Sequence, residues 1–243
     1  MCGRFALYTP PDRLARMFEA EVGDGLATDW TPSWNVAPSQ RVVGVVESAP
    51  TSKRLKRRAL DYFQWGLIPS WSNGSTVKGS LFNARCETVA TKPSFRSSFS
   101  SRRMIVIADG FYEWSKSSGS RRVPYYFFRT DGTPMALAGL WERPIGTGGG
   151  KGDERLPTCT IVTTRASIDV AGIHDRMPVI LDAESSTTWL DTSAYDRLEL
   201  EALLKPAPPE TVESYRVSAK VNRVLNDTSE LINPLPAGLF EGG

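Results

Sequence analysis

The sequence predicts an α+β fold: a single domain with a β-rich, largely antiparallel core, arranged as sheets or a partly closed barrel, and short helices at its periphery. Segments rich in β-branched and aromatic residues follow one another, separated by short polar or glycine-bearing turns. Helical periodicity is confined to a few short segments. A chain of 243 residues, of which 40% are hydrophobic, is long enough to bury one sizeable core.

The chain opens with a predicted strand and helix. Residues 4–8 alternate in hydrophobicity like a strand. The segment Thr9-Pro10-Pro11-Asp12 supplies the residue types of a helix cap and first turn. The apolar residues that follow, Leu14, Met17 and Phe18, share one helical face, so we expect that face to pack on the core.

Two further predicted strands flank a basic run. Residues 41–47 and 59–67 are rich in β-branched and aromatic residues. The run between them, at residues 53–58, reads Lys-Arg-Leu-Lys-Arg-Arg. Its cations fit either a solvated hairpin edge or a contact with phosphates, and the pattern leaves both interpretations open.

The rest of the chain continues the succession of short strands. A glycine-dense loop is predicted at residues 146–153, and it lacks the preceding strand and the Gly-Lys-Ser/Thr ending of a phosphate-binding loop. Helices are predicted at residues 182–190 and 195–204. We expect the domain to span residues 1–233, followed by a frayed tail at 234–243. The predicted strands lie at residues 104–109, 111–114, 123–129, 135–141 and 158–164.

Composition excludes several classes of protein. No stretch approaches the roughly 20 apolar residues that span a bilayer, and the first residues lack the apolar run of a signal peptide, so we expect a cytoplasmic protein. The three cysteines are widely spaced and the chain has one histidine, so a disulfide framework, a metal site and a cofactor are not expected. With a net charge of +2, any nucleic-acid surface must be a local patch.

Cys2 is the most informative residue of the sequence. Because cysteine is small, the initiator Met1 can be removed, which exposes an α-amine beside a thiol; their pKa values are ordinarily ~8 and ~8.5. Such an amine can condense with an aldehyde to a Schiff base, and the neighbouring thiol can then close a five-membered thiazolidine ring in an intramolecular step. A cysteine at this position also occurs by chance.

Glu113 and His174 are the candidate acid–base residues. Glu113 is flanked by aromatic residues after an apolar strand, and apolar surroundings raise carboxyl pKa values toward neutrality. The alternative is an outward-facing acidic residue of a strand. His174 lies in a predicted loop, where catalytic groups are common, although a lone histidine is more often structural.

Asn83, Trp65 and Trp71 allow two interpretations each. Asn83 has the spacing of a helix N-cap, which is its ordinary role. The two tryptophans flank a Gly/Pro turn, and they fit either the core or a platform on which nucleic-acid bases stack.

Taken together, these segments resemble the SRAP (SOS response-associated peptidase) family, of the bacterial type. The resemblance runs from residue 2 to about residue 181. One departure is Cys86, where we expect serine or alanine and interpret the cysteine as a buried spectator. The motifs occur in the order Met1-Cys2-Gly3-Arg4-Phe5, Trp34-Asn35-Val36-Ala37-Pro38, Trp65-Gly66-Leu67-Ile68-Pro69, Asn83-Ala84-Arg85-Cys86-Glu87-Thr88, Gly110-Phe111-Tyr112-Glu113-Trp114 and His174-Asp175-Arg176-Met177-Pro178.

The resemblance implies a single SRAP domain that processes abasic sites in single-stranded DNA. It implies that Cys2, freed by autocatalytic removal of Met1, forms a thiazolidine crosslink with the ring-opened sugar, with associated lyase chemistry. By the same resemblance Asn83 orients the adduct, Glu113 serves the amine and proton transfers, and His174 assists ring opening. The expected DNA-binding residues are Arg4, Trp65, Arg85 and Arg176.

Two other functions compete with this one. The first is a thiol peptidase that uses Cys2 as nucleophile and His174 as base, although the sequence carries no recognisable oxyanion hole or specificity pocket. The second is a non-catalytic module that binds single-stranded DNA through arginines and tryptophans, which assigns no role to Cys2, Glu113 or His174. For the SRAP function we expect a monomer, associated with the nucleoid when bound to DNA, without metal or membrane partners.

Overall fold

Two β-sheets carry the fold of the computed structural model, which describes residues 2–48, 56–72, 81–115, 122–143, 156–193 and 195–236. The strands, numbered in chain order, are β1 (Phe5–Leu7), β2 (Ala20–Val22), β3 (Ser33–Val36), β4 (Arg41–Ser48), β5 (Arg57–Trp65), β6 (Asn83–Arg85), β7 (Arg103–Ala108), β8 (Gly110–Ser115), β9 (Val123–Arg129), β10 (Met135–Glu142), β11 (Thr158–Arg165), β12 (Arg176–Pro178), β13 (Ile180–Leu181) and β14 (Val212–Arg216). The α-helices are α1 (Pro11–Phe18), α2 (Asp24–Asp29), α3 (Arg96–Ser101), α4 (Ile168–Ala171), α5 (Ala183–Leu190) and α6 (Arg197–Leu203).

The larger sheet closes on itself. Its strands follow the order β12-β11-β10-β7-β4-β5-β2, while β13 pairs with β10 and β6 pairs with β11. β5 also pairs in parallel with β11, through Gln64 opposite Thr158 and Trp65 opposite Cys159. This pairing joins β5, β4, β7, β10 and β11 into a ring, so the predicted α+β fold with a partly closed barrel is confirmed.

The smaller sheet is antiparallel throughout and has the order β14-β9-β8-β1-β3. β1 lies between two partners, with Phe5 opposite Phe111 of β8 and opposite Val36 of β3. The N-terminal strand is therefore an interior strand of this sheet, and Cys2, three residues before it, is buried.

The central strand β7 shows why the barrel strands are apolar. All of its residues are buried, because one face lies toward the barrel interior and the other packs under α3 and α5. β4 approaches β7 closely at Gly44, where an added Cβ would lie 2.2 Å from the Met104 side chain and 2.9 Å from the Ile105 carbonyl. A side chain at this position would separate the two strands.

Arg103 joins the barrel to two helix ends. Its side chain is buried, and the guanidinium donates to the Phe99 and Ser100 carbonyls at 3.0 and 2.8 Å and to the Trp189 carbonyl at 2.7 Å. The final carbonyls of a helix lack intrahelical partners. Arg103 therefore satisfies the ends of α3 and α5 while its own charge is compensated by their dipoles.

Several predicted segments need correction or fall outside the described residues. Met17 is 44% exposed, so of the three residues predicted to face the core Leu14 and Phe18 are buried and Met17 is not. The predicted loop at residues 146–153 lies outside the described residues. Of the predicted tail, residues 237–243 lie outside them too, while the Leu235 amide donates to the Arg216 carbonyl at 2.9 Å, which ties residues 234–236 to β14.

The described part of the basic run is engaged in ion pairs. Lys56 lies 2.7 Å from Asp191, and Arg58 lies 3.2 Å from Glu47. Residues 53–55 lie outside the described residues. The described cations thus fit the solvated hairpin edge better than a phosphate contact.

Candidate active site and DNA-binding surface

Strand pairing places Cys2 beside Glu113. The Tyr112 amide of β8 donates to the Arg4 carbonyl at 2.9 Å, so the residues before β1 run antiparallel along β8 toward Glu113. Cys2 is 0% exposed. Burial raises the pKa of its thiol, and the nearby Glu113 carboxylate raises it further. The thiol is therefore protonated at neutral pH in this state of the chain.

Asn83 reaches the Cys2 backbone from the larger sheet. β6 lies parallel to β11, with Asn83 opposite Ile161. The Asn83 Nδ2 amide donates to the Cys2 carbonyl at 2.7 Å. Among the described residues, the buried Asn83 Oδ1 has no hydrogen-bond partner, and a buried acceptor left in that condition costs about 1–3 kcal/mol. A donor group of a ligand in this pocket would remove that cost.

Glu113 and His174 form a partly buried pair. Glu113 Oε2 lies 3.8 Å from His174 Nε2, and their side chains are 4% and 18% exposed. Burial raises the pKa of the Glu113 carboxyl. On the other side of the ring, the exposed Asp175 carboxylate lies 3.1 Å from His174 Nδ1. His174 Nδ1 also accepts a hydrogen bond from the Arg176 amide at 3.0 Å, which holds the ring with Nε2 toward Glu113, where it can exchange a proton.

The structure brings the predicted catalytic residues into one cluster. Asn83 contacts the Cys2 backbone, Glu113 acts electrostatically on the Cys2 thiol, and His174 lies beside Glu113. Two alternative interpretations are wrong. Glu113 is buried and does not face outward from its strand, and Asn83 begins strand β6 instead of capping a helix.

The predicted DNA-binding arginines differ in their surroundings. Arg4 Nη1 donates to Asn35 Oδ1 at 2.8 Å and to the Val221 carbonyl at 2.7 Å, and its guanidinium lies 5.9 Å from the Trp114 ring. Arg4 is therefore anchored by protein acceptors. Arg85, at the end of β6, is exposed to solvent.

Arg176 already holds a carboxylate. It donates to Glu87 at 2.6 and 3.1 Å and to the Thr163 carbonyl at 2.6 Å. The hydrogen bond from Arg176 lowers the pKa of Glu87 to about 2, so the pair is charged at neutral pH. A phosphate that reaches Arg176 must therefore compete with Glu87.

Trp65 is a correction to the predicted DNA surface. It is 0% exposed, its Nε1 donates to the Phe82 carbonyl at 2.8 Å, and its ring packs 5.1 Å from Phe5. A side chain so enclosed cannot stack on a base. Trp71, six residues further along the chain, is 56% exposed, so its ring is open to contact with a base.

Sequence reasoning missed two charged residues near the pocket. Glu87 and Asp175 lie within the recognised motifs, yet neither was assigned a role. The available signal was their closeness in sequence to residues that were assigned roles, because Asp175 adjoins His174 and Glu87 follows Arg85 by two residues. Among the described residues, no group of three His, Cys, Asp or Glu side chains is arranged to hold a metal ion. No helix in the described ranges has the length and apolar character to cross a membrane.

Comparison with known proteins gives the family. The model of the SOS response associated peptidase (SRAP) family matches residues 1–224. The chain belongs to the SRAP family. It is 36% identical over 237 residues to abasic site processing protein YoqW of Bacillus subtilis (strain 168), covering 96% of this chain and 99% of that protein.

Two further comparisons agree with this assignment. The SRAP chain is 33% identical over 239 residues to abasic site processing protein YedK of Escherichia coli (strain K12), covering 97% of this chain and 100% of that one. A crystal structure of a Bacteroides thetaiotaomicron protein superposes with a TM-score of 0.79 at 24% sequence identity, covering 96% of this chain and 100% of that one. This last likeness concerns the fold. The SRAP chain is thus related to abasic site processing proteins over nearly its whole length.

Proposed function

We propose that this SRAP protein captures abasic sites in single-stranded DNA by forming a thiazolidine crosslink through Cys2. The observation that carries the proposal is the cluster itself, in which Asn83 holds the Cys2 carbonyl and the Glu113–His174 pair lies close to the Cys2 thiol. The kinship with abasic site processing proteins supports the same substrate. The reaction requires the Cys2 α-amine, so Met1 must first be removed.

The chemistry proceeds in two balanced steps. The neutral Cys2 amine attacks the aldehyde of the ring-opened sugar, and loss of one water molecule leaves an imine. The thiol then adds to the imine carbon, a C–S bond forms, and the thiol proton moves to the ring nitrogen. Because amine and thiol are tethered, the second step is intramolecular and fast.

Glu113 supplies the base for these steps. Burial raises the pKa of the Glu113 carboxyl, and a carboxylate with a raised pKa is a stronger proton acceptor when it is ionised. His174 relays protons to the sugar, where it promotes ring opening and the elimination that cleaves the strand. Asn83 holds the Cys2 backbone carbonyl and directs the amine toward the aldehyde.

The thiol-peptidase alternative has weaker support. Peptidase cysteines act as thiolates with a lowered pKa, whereas burial raises the pKa of Cys2. Peptidase chemistry is proposed here only for the removal of Met1 by the protein itself. The partner is single-stranded DNA with abasic sites, bound by a monomer that is cytoplasmic and located on the nucleoid when engaged.

The deciding experiment is crosslinking to abasic single-stranded DNA, followed by denaturing electrophoresis and intact mass. Cys2→Ala should abolish the heat-stable adduct, because its N-terminus lacks the thiol that closes the ring. Cys86→Ala and Cys159→Ala are matched controls and should crosslink like the wild type, since Cys159 is buried in the barrel and Cys86 is half-buried. A heat-stable adduct with Cys2→Ala would show that another residue is the nucleophile.

A further inference from the structure

A row of arginines leads away from the candidate active site along one face of the larger sheet. Side chains two residues apart on a strand share a face, so Thr163 and Arg165 of β11 point the same way. Thr163 is the register partner of Arg85, and Arg165 is the register partner of Arg176. Arg176 also reaches the Thr163 hydroxyl at 3.3 Å, which places its side chain on this same face.

The row starts at the pocket. Asn83, which holds the Cys2 carbonyl, lies two residues before Arg85 on β6 and opposite Ile161 on β11. Moving outward from Asn83, the face carries Arg85, then Arg165 beside Arg176. Two strand residues advance about 6.6 Å, and a stacked single strand advances about 3.4 Å per phosphate. Arg165 thus lies about two nucleotides beyond Arg85.

The charges of this row are unbalanced. Like charges directly opposite each other on paired strands are destabilising, and Arg165 faces Arg176 in this way. Glu87 binds Arg176. Among the described residues, no carboxylate lies within ion-pair distance of Arg165 or Arg85, and both are exposed. The row therefore presents a surface that a chain of anionic groups would stabilise.

We propose that Arg165 is a further phosphate-binding residue, which continues the path of the DNA backbone from Arg85 away from the abasic site. The inference rests on the proposed function, since the anion is identified as DNA by the continuity of this row with the Cys2 pocket. Arg176 is bound to Glu87, whereas Arg165 is exposed and is open to a DNA phosphate.

The test is equilibrium binding of a fluorescent, intact single strand to the full chain at salt concentrations from about 50 to 200 mM. Arg165→Gln should weaken binding about 3- to 10-fold at the low end. It should also reduce the slope of log affinity against log salt by about 0.7, the contribution of one phosphate on a single strand. Arg165→Lys keeps the charge and should keep the wild-type slope.

Arg13→Gln is the matched control. Arg13 is an equally exposed arginine on α1, which packs against β2 and β5, away from this row. Its variant should bind like the wild type. A wild-type slope for Arg165→Gln, or an equal loss for Arg165→Lys, would overturn the inference.

A second experiment locates the phosphate that Arg165 binds. It also distinguishes failure of the Arg165 proposal from failure of the proposed crosslinking function. Abasic strands that carry one neutral methylphosphonate at successive positions should crosslink more slowly in the wild type when the phosphate facing Arg165 is neutralised. Arg165→Gln should be insensitive at that position alone. Uniform sensitivity would refute the assignment of Arg165. Failure of the wild type to crosslink any abasic strand would instead refute the proposed function.

Discussion

Replacing Trp65 by phenylalanine separates a core residue from a DNA-stacking residue. Phenylalanine keeps much of the packing on Phe5, but it cannot donate the 2.8 Å hydrogen bond to the Phe82 carbonyl. A buried carbonyl left without its donor costs about 1–3 kcal/mol. For a domain of this size each 1 kcal/mol lowers the Tm by about 2–4 °C. We therefore expect the Tm of Trp65→Phe to fall by about 2–12 °C.

The assay is thermal unfolding in parallel with binding of intact single-stranded DNA. Trp65→Phe should bind DNA like the wild type below its Tm, because the ring has no exposed surface. Trp71→Ala is the matched variant, since Trp71 is 56% exposed. It should keep the wild-type Tm and lose about 5- to 150-fold in affinity, the value of one stacked base. A wild-type Tm with weaker DNA binding for Trp65→Phe would refute the core assignment.

The remaining predictions concern three charged residues, Glu113 and His174 in the candidate site and Glu87 beside Arg176. Glu113→Gln should slow crosslinking by about 100- to 10,000-fold, with partial rescue by alkali, and parallel pH profiles for variant and wild type would contradict this. Burial raises the pKa of Glu113 in the folded state above its ordinary value of 4.5. Between these two pKa values the folded state binds more protons than the unfolded state, so the Tm of the wild type should fall as the pH rises from 4.5. The Tm of Glu113→Gln should lack this fall. His174→Ala should slow ring opening and strand cleavage, measured in single-turnover assays, with less rescue by alkali; wild-type rates would make His174 structural. Glu87→Gln releases Arg176, so single-strand binding should tighten and its salt slope should steepen by about 0.7; an unchanged slope would mean that Arg176 does not meet the DNA.

The fold class was predictable because its signals are local. The strands at residues 41–47, 123–129 and 135–141 are found within one or two residues of their predicted bounds. Barrel closure, by contrast, depends on the parallel pairing of β5 with β11, which brings together segments far apart in the chain. No local pattern encodes such a contact, so the sequence indicated a closed or open sheet without deciding between them.

For the candidate site too, the residue chemistry was predictable from the sequence and the long-range contacts were not. The aminothiol chemistry of Cys2 follows from its residue type and position, whereas the contact between Asn83 and the Cys2 carbonyl depends on the pairing of β6 with β11. Trp65 shows a signal that was present and passed over. It follows Phe63 by two residues, and the exposed Gln64 separates them. This alternation predicts a buried face for both aromatic rings.

The interior position of β1 affects when the chain before Cys2 can be cleaved. A strand with partners on both sides cannot leave its sheet without breaking two ladders, and Cys2, three residues ahead of it, is enclosed. An outside enzyme that cleaves directly before Cys2 therefore has its best access before β1 has paired with both of its neighbours. The same enclosure makes the N-terminus a poor site for a fusion partner. Affinity tags are better placed at the C-terminus.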